Sequence, residues 1–203
     1  MEKIDFKKEL KHLYKPSTKE CAIVDVPAMQ FLMVNGEGDP NTAESYKEAI
    51  GVLYAVAYTL KFMIKLGPQE VNFTVMPLEG LWWVEDMTLF SEQDKDAWLW
   101  TAMIMQPEYV TEDLFEEARQ QVEEKKGIPG LDRLRLAEYD EGTSAQIMYI
   151  GPYADEAPTI QMLHAFIGEQ GGTLEGKHHE IYLGDPRRTA PEKLKTVIRQ
   201  PFV

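Results

Sequence analysis

The sequence predicts an α+β fold built from two strand–helix–strand–strand modules. The prediction depends on an internal repeat, formed by FLMVNGEGDP at 31–40 and IMYIGPYADE at 147–156. Each segment has the pattern of a strand, a glycine break, an acidic stretch and then a long amphipathic helix, and two more strands follow each helix. Residue identity between the copies is low, so the repeat is one of element order. Such a duplication carries pseudo-twofold symmetry and predicts a ligand cleft between the modules, where binding sites are common.

Hydrophobic periodicity and turn residues place the individual elements. The first module is predicted to have a strand at 21–34 bent by Pro27, a helix opened by the capping box Asn41 and Glu44, and strands at 71–77, 80–87 and 96–106. A helix capped by Thr111 ends at Lys126, and the second module has strands at 134–142, 144–151, 178–184 and 194–200 around a helix at 155–169. We expect one domain, 1–203, comprising an N-terminal arm (1–20), a first module (21–106), a connecting helix (107–130) and a second module (131–203).

Charge and cysteine content exclude several classes of function. The net charge of −13 argues against nucleic acid as a partner, because the phosphates would be repelled. The single cysteine, Cys21, excludes an internal disulfide and a cysteine-built metal site, which is typical of a cytoplasmic protein. The start of the chain lacks the apolar stretch of a secretion signal, and no apolar run approaches the ~20 residues of a membrane span. We therefore expect a cytoplasmic protein with no membrane partner.

The segment His178–Leu183 is the most informative for function. It reads as a strand whose side chains alternate, so that Ile181 and Leu183 share an apolar face while His178, Glu180 and Tyr182 share the other. A carboxylate among bulky residues in a strand is uncommon unless it is paired or functional. The alternative is an outer face of ordinary solvated groups. Because adjacent strand residues point in opposite directions, His178 and His179 are not expected to bind one metal ion, and no cofactor motif is present.

Aromatic residues and methionines supply a candidate ligand-binding surface. Trp82, Trp83, Trp98 and Trp100 lie in neighbouring predicted strands, and Trp82 and Trp83 must diverge, so one of the two requires a cover other than the helices on one face. A planar ligand is one such cover, although core packing is the simpler interpretation for any single tryptophan. Methionines such as Met105 suit tolerant pockets and also fill ordinary cores.

A carboxylate within an aromatic pocket has two chemical uses. It can hold a planar cation by charge and ring stacking, or it can orient or deprotonate a water molecule. Tyrosine hydroxyls of Tyr54, Tyr149 and Tyr153 require partners where they are buried, and Glu180 is a candidate partner for one of them. The sequence leaves both uses open.

A set of short motifs covers most of the second half of the chain. The motifs are Glu141-Gly142, Gln146, Ile150-Gly151-Pro152-Tyr153 with Glu156, Gly176-x-His178-His179-Glu180-Ile181-Tyr182-Leu183, Asp185-Pro186, and Leu194-Lys195-Thr196 to Arg199-x-Pro201. Together they resemble the GyrI-like small-molecule-binding family. The resemblance implies two modules in a mostly antiparallel sheet, with helices on one side and a ligand cleft between modules. It also implies that Glu180 matches the glutamate that faces the cationic drug in multidrug-responsive regulators of this family.

The stand-alone form of the chain is similar to cyclopropanoid cyclopropyl hydrolases, which open the strained ring of DNA-alkylating natural products. That resemblance implies Glu180 as a water-orienting base or electrostatic stabiliser, and Tyr182 or Tyr149 as a hydroxyl donor. The residues expected to bind the ligand are Tyr54, Trp82, Trp98, Trp100, Met105, Tyr153 and His178. The alternative function is non-catalytic sequestration of planar or cationic ligands, and shielding of DNA gyrase is implied only by the name-giving relatives. A homodimer is left open.

Overall fold

The structure, a computed structural model, describes residues 3–85 and 95–203. The strands within these ranges are β1 (Lys3–Ile4), β2 (Ala22–Val26), β3 (Met29–Glu37), β4 (Asn72–Phe73), β5 (Leu78–Trp83), β6 (Leu99–Gln106), β7 (Arg135–Tyr139), β8 (Gly142–Ile150), β9 (His178–Tyr182) and β10 (Lys195–Pro201). The α-helices are α1 (Phe6–Glu9), α2 (Lys11–Tyr14), α3 (Glu44–Leu66), α4 (Glu112–Lys126) and α5 (Ala157–Glu169). The end of the strand predicted at 80–87 lies outside the described residues.

The strand pairing confirms the predicted α+β class and the duplication. Eight strands form a mostly antiparallel sheet in the order β2-β8-β10-β9-β5-β6-β3-β7, and β1 pairs with β4 in a separate parallel ribbon. In one copy β3, α3, β5 and β6 follow one another along the chain; in the other, β8, α5, β9 and β10 do. In each copy the first strand pairs with the last, β3 with β6 and β8 with β10. The repeat seen in the sequence is thus a repeat of element order and of strand pairing.

The chain divides into two compact units that alternate along the sequence. The first unit comprises Met1–Phe6, Met29–Met76 and Trp82–Tyr139, and the second comprises Lys7–Ala28, Pro77–Leu81 and Asp140–Val203. The predicted cleft between modules stays a prediction.

The strand predicted at 21–34 is two strands. Pro27 was expected to bend it, but pairing stops at Val26 and resumes at Met29. β2 pairs with β8 of the second unit, and β3 pairs with β6 and β7 of the first. Proline has no N–H to donate to a ladder, so it favours a strand end over a strand interior.

Helix α3 forms the core of the first unit by packing on β3 and β6. Its buried residues are Tyr46, Ala49, Val52, Leu53, Val56, Ala57, Leu60 and Ile64. The stripe predicted from helical spacing is confirmed at Leu53, Ala57, Leu60 and Ile64, whereas its other two members, Ile50 and Tyr54, are half-buried. The predicted capping box is wrong, because the helix begins at Glu44 with Ala43 at the N-cap, while the Asn41 amide donates to Asp39 Oδ1. The predicted cap of α4 is confirmed: Thr111 Oγ1 accepts a hydrogen bond from the Leu114 amide.

At 23 residues, α3 is long and apolar enough to cross a membrane by length and composition alone. The sequence analysis did not anticipate such a segment. A helix that fills the core of a folded unit meets the same two criteria, and much of α3 is buried in this way.

The second unit covers both faces of its strands. Helix α5 packs on one face through a cluster of Ala145, Ile147, Leu163, Ile167 and Ile198. The opposite face carries Arg199, whose guanidinium donates to the Leu13 carbonyl oxygen in the short helix α2. The first 20 residues, expected to be an arm, therefore contribute Leu13 and Tyr14 as buried parts of this unit.

Substitution of Gly36 by alanine is expected to destabilise the first unit. Gly36 lies directly opposite Trp100 in the β3–β6 pair, and an added Cβ would overlap the indole ring. Overpacking of this kind costs about 1–3 kcal/mol. The matched control is Gly51→Ala in α3, where an added Cβ meets no atom within 4 Å; alanine there should stabilise the helix by about 0.5–1 kcal/mol. Urea unfolding midpoints that move the same way for both variants would contradict this account.

Candidate functional site

The candidate site begins with the alternation of β9. Register with β10 pairs Glu180 with Ile198 and His179 with Arg199. Because directly paired residues share a face of the sheet, Glu180 lies on the side covered by α5, where Ile198 packs. His179 consequently points to the opposite face. The predicted division of His178, Glu180 and Tyr182 from Ile181 follows the same alternation.

Both oxygens of the Glu180 carboxylate have neighbours on its own strand. Tyr182 donates its hydroxyl to Glu180 Oε2 at 2.7 Å, and His178 Nε2 lies 3.1 Å from Oε1. Since an ionised carboxylate only accepts hydrogen bonds, the His178 ring must carry its proton on Nε2 in this contact. The side chain of Glu180 is 14% exposed and that of His178 is 4% exposed. Glu180 is therefore not the freely solvated group of an ordinary outer face.

Two tyrosines border this strand in different ways. The rings of Tyr153 and Tyr182 meet edge to face, with centroids 5.4 Å apart. Tyr149, a candidate donor, instead gives its hydroxyl to the Pro152 carbonyl oxygen at 3.0 Å. That hydroxyl occupies the space where a side chain at Gly151 would begin, which accounts for the glycine in the Gly-Pro-Tyr turn. The pKa of Tyr149 is raised by burial and then by Asp155 and Glu156.

His164 of α5 is a neighbour that the sequence analysis did not identify. The pKa of His164 is lowered, first by burial and then by the charge of His178. Among the described residues the buried His164 Nε2 has no hydrogen-bond partner. A buried polar atom of this kind marks a place for water or ligand. Its signal in the sequence was weak, because one histidine on an amphipathic helix has no periodicity of its own.

The tryptophans expected to bind ligand form an aromatic cluster inside the first unit. Trp82, Trp98 and Trp100 are 3%, 7% and 0% exposed, and the rings of Trp82 and Trp98 are 5.5 Å apart. Tyr46 of α3, which the sequence analysis missed, contacts both Trp82 and Trp100. Met105 is also buried, whereas Tyr54 lies on α3 beside Tyr58, with ring centroids 6.3 Å apart. Packing explains the buried set, and its role toward a ligand stays a prediction.

A buried ionic cluster lies on the other face of β9. His179 contacts Glu141 Oε1 through Nδ1 at 2.9 Å and Glu79 Oε2 through Nε2 at 3.0 Å. Arg199 Nη1 donates to Glu141 Oε2 at 3.0 Å, and Tyr14 donates to Glu79 Oε1 at 2.9 Å. The charged members are all about 1% exposed or less. We call these five residues the ionic cluster.

The charges of the ionic cluster balance. Because both ring nitrogens of His179 face carboxylates, both carry protons and the ring is an imidazolium. Burial lowers the pKa of His179, but Glu141 and Glu79 outweigh it and raise the value to about 9. Burial likewise raises the pKa of Glu141, but His179 and Arg199 lower it to about 2. With Glu79 ionised, the two anions meet the two cations and no net charge is left in the interior.

Some residues of this cluster stand out in the sequence, but no local pattern links them to one another. Glu141 and the His178-His179 pair were part of the family motif, and the adjacent histidines were correctly separated onto opposite faces. Glu79 and Tyr14 gave no signal, since each lies far along the chain from its partner: 100 residues separate Glu79 from His179. Among the described residues, no group of three or more His, Cys, Asp or Glu side chains is arranged to hold a metal ion.

Comparison with known families decides the assignment of the fold. The model of the GyrI-like small molecule binding domain matches residues 19–202. The chain belongs to this family. Small-molecule binding is thus the general function of this GyrI-like domain. No curated protein matches the chain.

Solved structures extend the comparison. An uncharacterized conserved protein from Listeria innocua is 43% identical, with a TM-score of 0.91 over 98% of this chain and 100% of that one. A hydrolase from Listeria innocua is 42% identical, with a TM-score of 0.89 over 100% of both chains. The C-terminal domain of EcmrR is 12% identical, with a TM-score of 0.56 over 91% of this GyrI-like chain and 97% of its own, and so shares the fold.

Stability of the GyrI-like chain is expected to depend on pH through the ionic cluster. The pKa of His179 is raised to about 9, so its stabilisation is complete below its ordinary value of 6.5 and is lost as pH rises through 9. The pKa of Glu141 is lowered to about 2, so its stabilisation is complete above 4.5 and is lost as pH falls toward 2. Since both shifts describe one contact, the two effects do not add. The urea midpoint should therefore be highest between pH 4.5 and 6.5.

The matched variant for this profile is His179→Gln. Removing one partner of a buried ion pair costs about 3–5 kcal/mol, because the other charge stays buried without compensation. The variant should be less stable at neutral pH and should lose the alkaline decline between pH 6.5 and 9. An alkaline decline that is unchanged in His179→Gln would assign that titration to other groups.

Proposed function

We propose that this protein hydrolyses the cyclopropane ring of DNA-alkylating cyclopropanoid compounds and so protects the cell. The observation that carries the proposal is the Glu180 carboxylate, mostly buried and held by Tyr182 and His178 on one strand face. Support also comes from family membership and from the similarity to a Listeria innocua protein described as a hydrolase.

The chemistry requires few protein groups. In such compounds the cyclopropane is conjugated to a dienone, so a hydrogen bond to the carbonyl oxygen draws electrons toward it. Water then forms a C–O bond at the strained carbon while the ring C–C bond breaks. The electron pair of that bond moves into the ring system, which becomes a phenolate. The attacking water loses one proton and the phenolate gains one, so the sum of the reaction is the addition of one water.

Glu180 suits the orientation of that water. Donors on both oxygens favour the charged form of a carboxylate, which accepts hydrogen bonds. Each carboxylate oxygen has about two acceptor sites, so a carboxylate can accept from a water as well as from side-chain donors. General-base contacts of this kind contribute about 10²–10⁴-fold to a rate. His178, which donates through Nε2 to Glu180 Oε1, holds the carboxylate in this orientation.

Tyr182 is the preferred hydroxyl donor for the substrate oxygen. Its hydroxyl donates to Glu180 in the free protein, and it can turn to a ligand when Glu180 accepts a proton from water. The Tyr149 hydroxyl is engaged with the Pro152 carbonyl oxygen and stabilises the turn. We therefore assign Tyr149 a positioning role and Tyr182 the contact with substrate.

Glu180→Gln is expected to abolish most of the turnover. The change keeps the shape of the side chain but removes its negative charge, and kcat/KM should fall about 10²–10⁴-fold. The measurement follows the ring-opened product of a spirocyclopropyl dienone by mass spectrometry. Glu192→Gln, an exposed glutamate outside β9, is the matched control and should keep wild-type activity. Equal, slow conversion by the wild type and Glu180→Gln would refute the enzyme proposal.

Sequestration without turnover is the second candidate function. It is favoured by the anionic group placed beside the Tyr153–Tyr182 ring pair, which suits a planar cation by charge and stacking. In a tryptophan-quenching titration with a cationic planar dye, saturable binding should weaken about tenfold or more in Glu180→Gln, because the variant lacks the negative charge that attracts the cation. Binding with the same affinity in both proteins would remove Glu180 from the ligand site.

A further inference from the structure

Helix α3 carries an apolar stripe that its own unit does not cover. Tyr54, Tyr58, Phe62 and Leu66 recur every four residues and so share one side of the helix. Tyr58, Phe62 and Leu66 are 48%, 50% and 80% exposed. A contiguous exposed apolar surface on a soluble domain commonly marks an interaction site. We call these four residues the α3 stripe.

The α3 stripe forms one wall of a groove whose other wall is α4. Small α3 residues, Gly51, Ala55 and Thr59, line it, and Gln121, Lys125 and Lys126 come from α4. The cavity has a volume of about 750 Å³. Small-molecule sites typically measure about 300–1,000 Å³, so the groove has room for a ligand of that class.

Positive charges lie along the groove. Lys125 and Lys126 line it, and Lys61 Nζ lies 5.8 Å from the centroid of the Phe62 ring, which also lines it. Lys125 Nζ donates to the uncharged Gln121 amide oxygen at 3.3 Å, so that contact leaves its charge in place. The pKa of Lys61 is lowered, first by burial and then by the charges of Lys3 and Lys65. The chain as a whole has a net charge of −13, so these lysines are a local excess of positive charge.

We propose that the groove between α3 and α4 binds a single-chain amphiphile with an anionic head group, such as a long-chain carboxylate. The apolar chain lies along the α3 stripe, and the head group meets Lys125 and Lys126. This site is separate from Glu180 and does not depend on the proposed hydrolysis. Burial of a chain supplies affinity at about 0.8 kcal/mol for each methylene removed from water.

Other occupants fit the groove less well. A second copy presenting its own α3 stripe would bring lysines against lysines. An anionic bilayer would face the whole acidic surface of the protein, whereas one anion inside the groove senses chiefly the lysines within the Debye length of about 8 Å. The charge pattern therefore favours one small anion over an extended surface.

Titration calorimetry of the full chain with dodecanoate, below its micelle concentration, tests this proposal. We expect saturable binding of one dodecanoate per chain, and binding about tenfold or more weaker for octanoate and for dodecyltrimethylammonium, which change chain length and charge separately. Phe62→Ser and the double variant Lys125→Glu/Lys126→Glu should each weaken dodecanoate binding about tenfold or more. Glu180→Gln should leave it unchanged, so failure here and failure of the hydrolase proposal are distinguishable.

Two matched controls show whether the effects are local. Met162→Ser removes a similarly exposed apolar side chain from α5, and Lys15→Glu/Lys19→Glu reverses two exposed lysines outside the groove; both should bind dodecanoate as the wild type does. The proposal would be overturned if dodecyltrimethylammonium bound as tightly as dodecanoate. It would also be overturned if the control variants lost as much dodecanoate affinity as the groove variants. Co-sedimentation of the protein with phosphatidylglycerol vesicles, without binding of monomeric dodecanoate, would also overturn it. So would a protein dimer in analytical sedimentation that Phe62→Ser abolishes.

Discussion

The second unit depends on the mutual neutralisation of Glu79, Glu141, His179 and Arg199 in its interior. Any one of these charges alone would be too costly to bury, and together they leave no net charge. The cluster draws on β5, β9 and β10 together with the loop before β8, and Tyr14 adds α2. Its geometry fixes the direction of His179, and strand alternation then fixes Glu180 on the opposite face. The ionic cluster on one face of β9 thus holds Glu180 in position on the other face.

This arrangement separates two tasks that neighbouring residues perform. His179 has both ring nitrogens committed to carboxylates, so it is a structural cation with no capacity left for a ligand. The side chain of Glu180, one residue later, is 14% exposed and so lies within reach of solvent. Satisfied polar groups make a rigid support, and a rigid support is what a site that orients water requires.

The sequence predicted the parts of the fold that depend on local pattern. The helical stripe of α3, the Thr111 cap and the alternation of β9 are each encoded within a few residues, and each is present. The sequence predicted a bend at Pro27, whereas the structure has a break between β2 and β3. Proline's missing N–H predicts that strand pairing is disturbed there, but not whether the strand bends or ends. The ionic cluster and the Tyr46 contacts to Trp82 and Trp100 were not predictable from pattern, since they join residues distant in sequence. The tryptophans illustrate the same limit. The two-residue alternation of a strand predicts which face of the sheet a ring lies on, but only three-dimensional packing decides what covers that ring.

The interleaving of the units along the chain has a consequence for biosynthesis. Tyr14 and Glu79 are translated long before His179 and Arg199, and Arg199 bonds the Leu13 carbonyl oxygen 186 residues away. Until His179 has been translated, Glu79 lacks the cation that it contacts in the folded protein, and burying it would be unfavourable. We therefore expect the interior of the second unit to close only after β9 and β10 have been translated. A chain truncated before β10 would lack Arg199 and leave the Glu141 carboxylate with one cation instead of two.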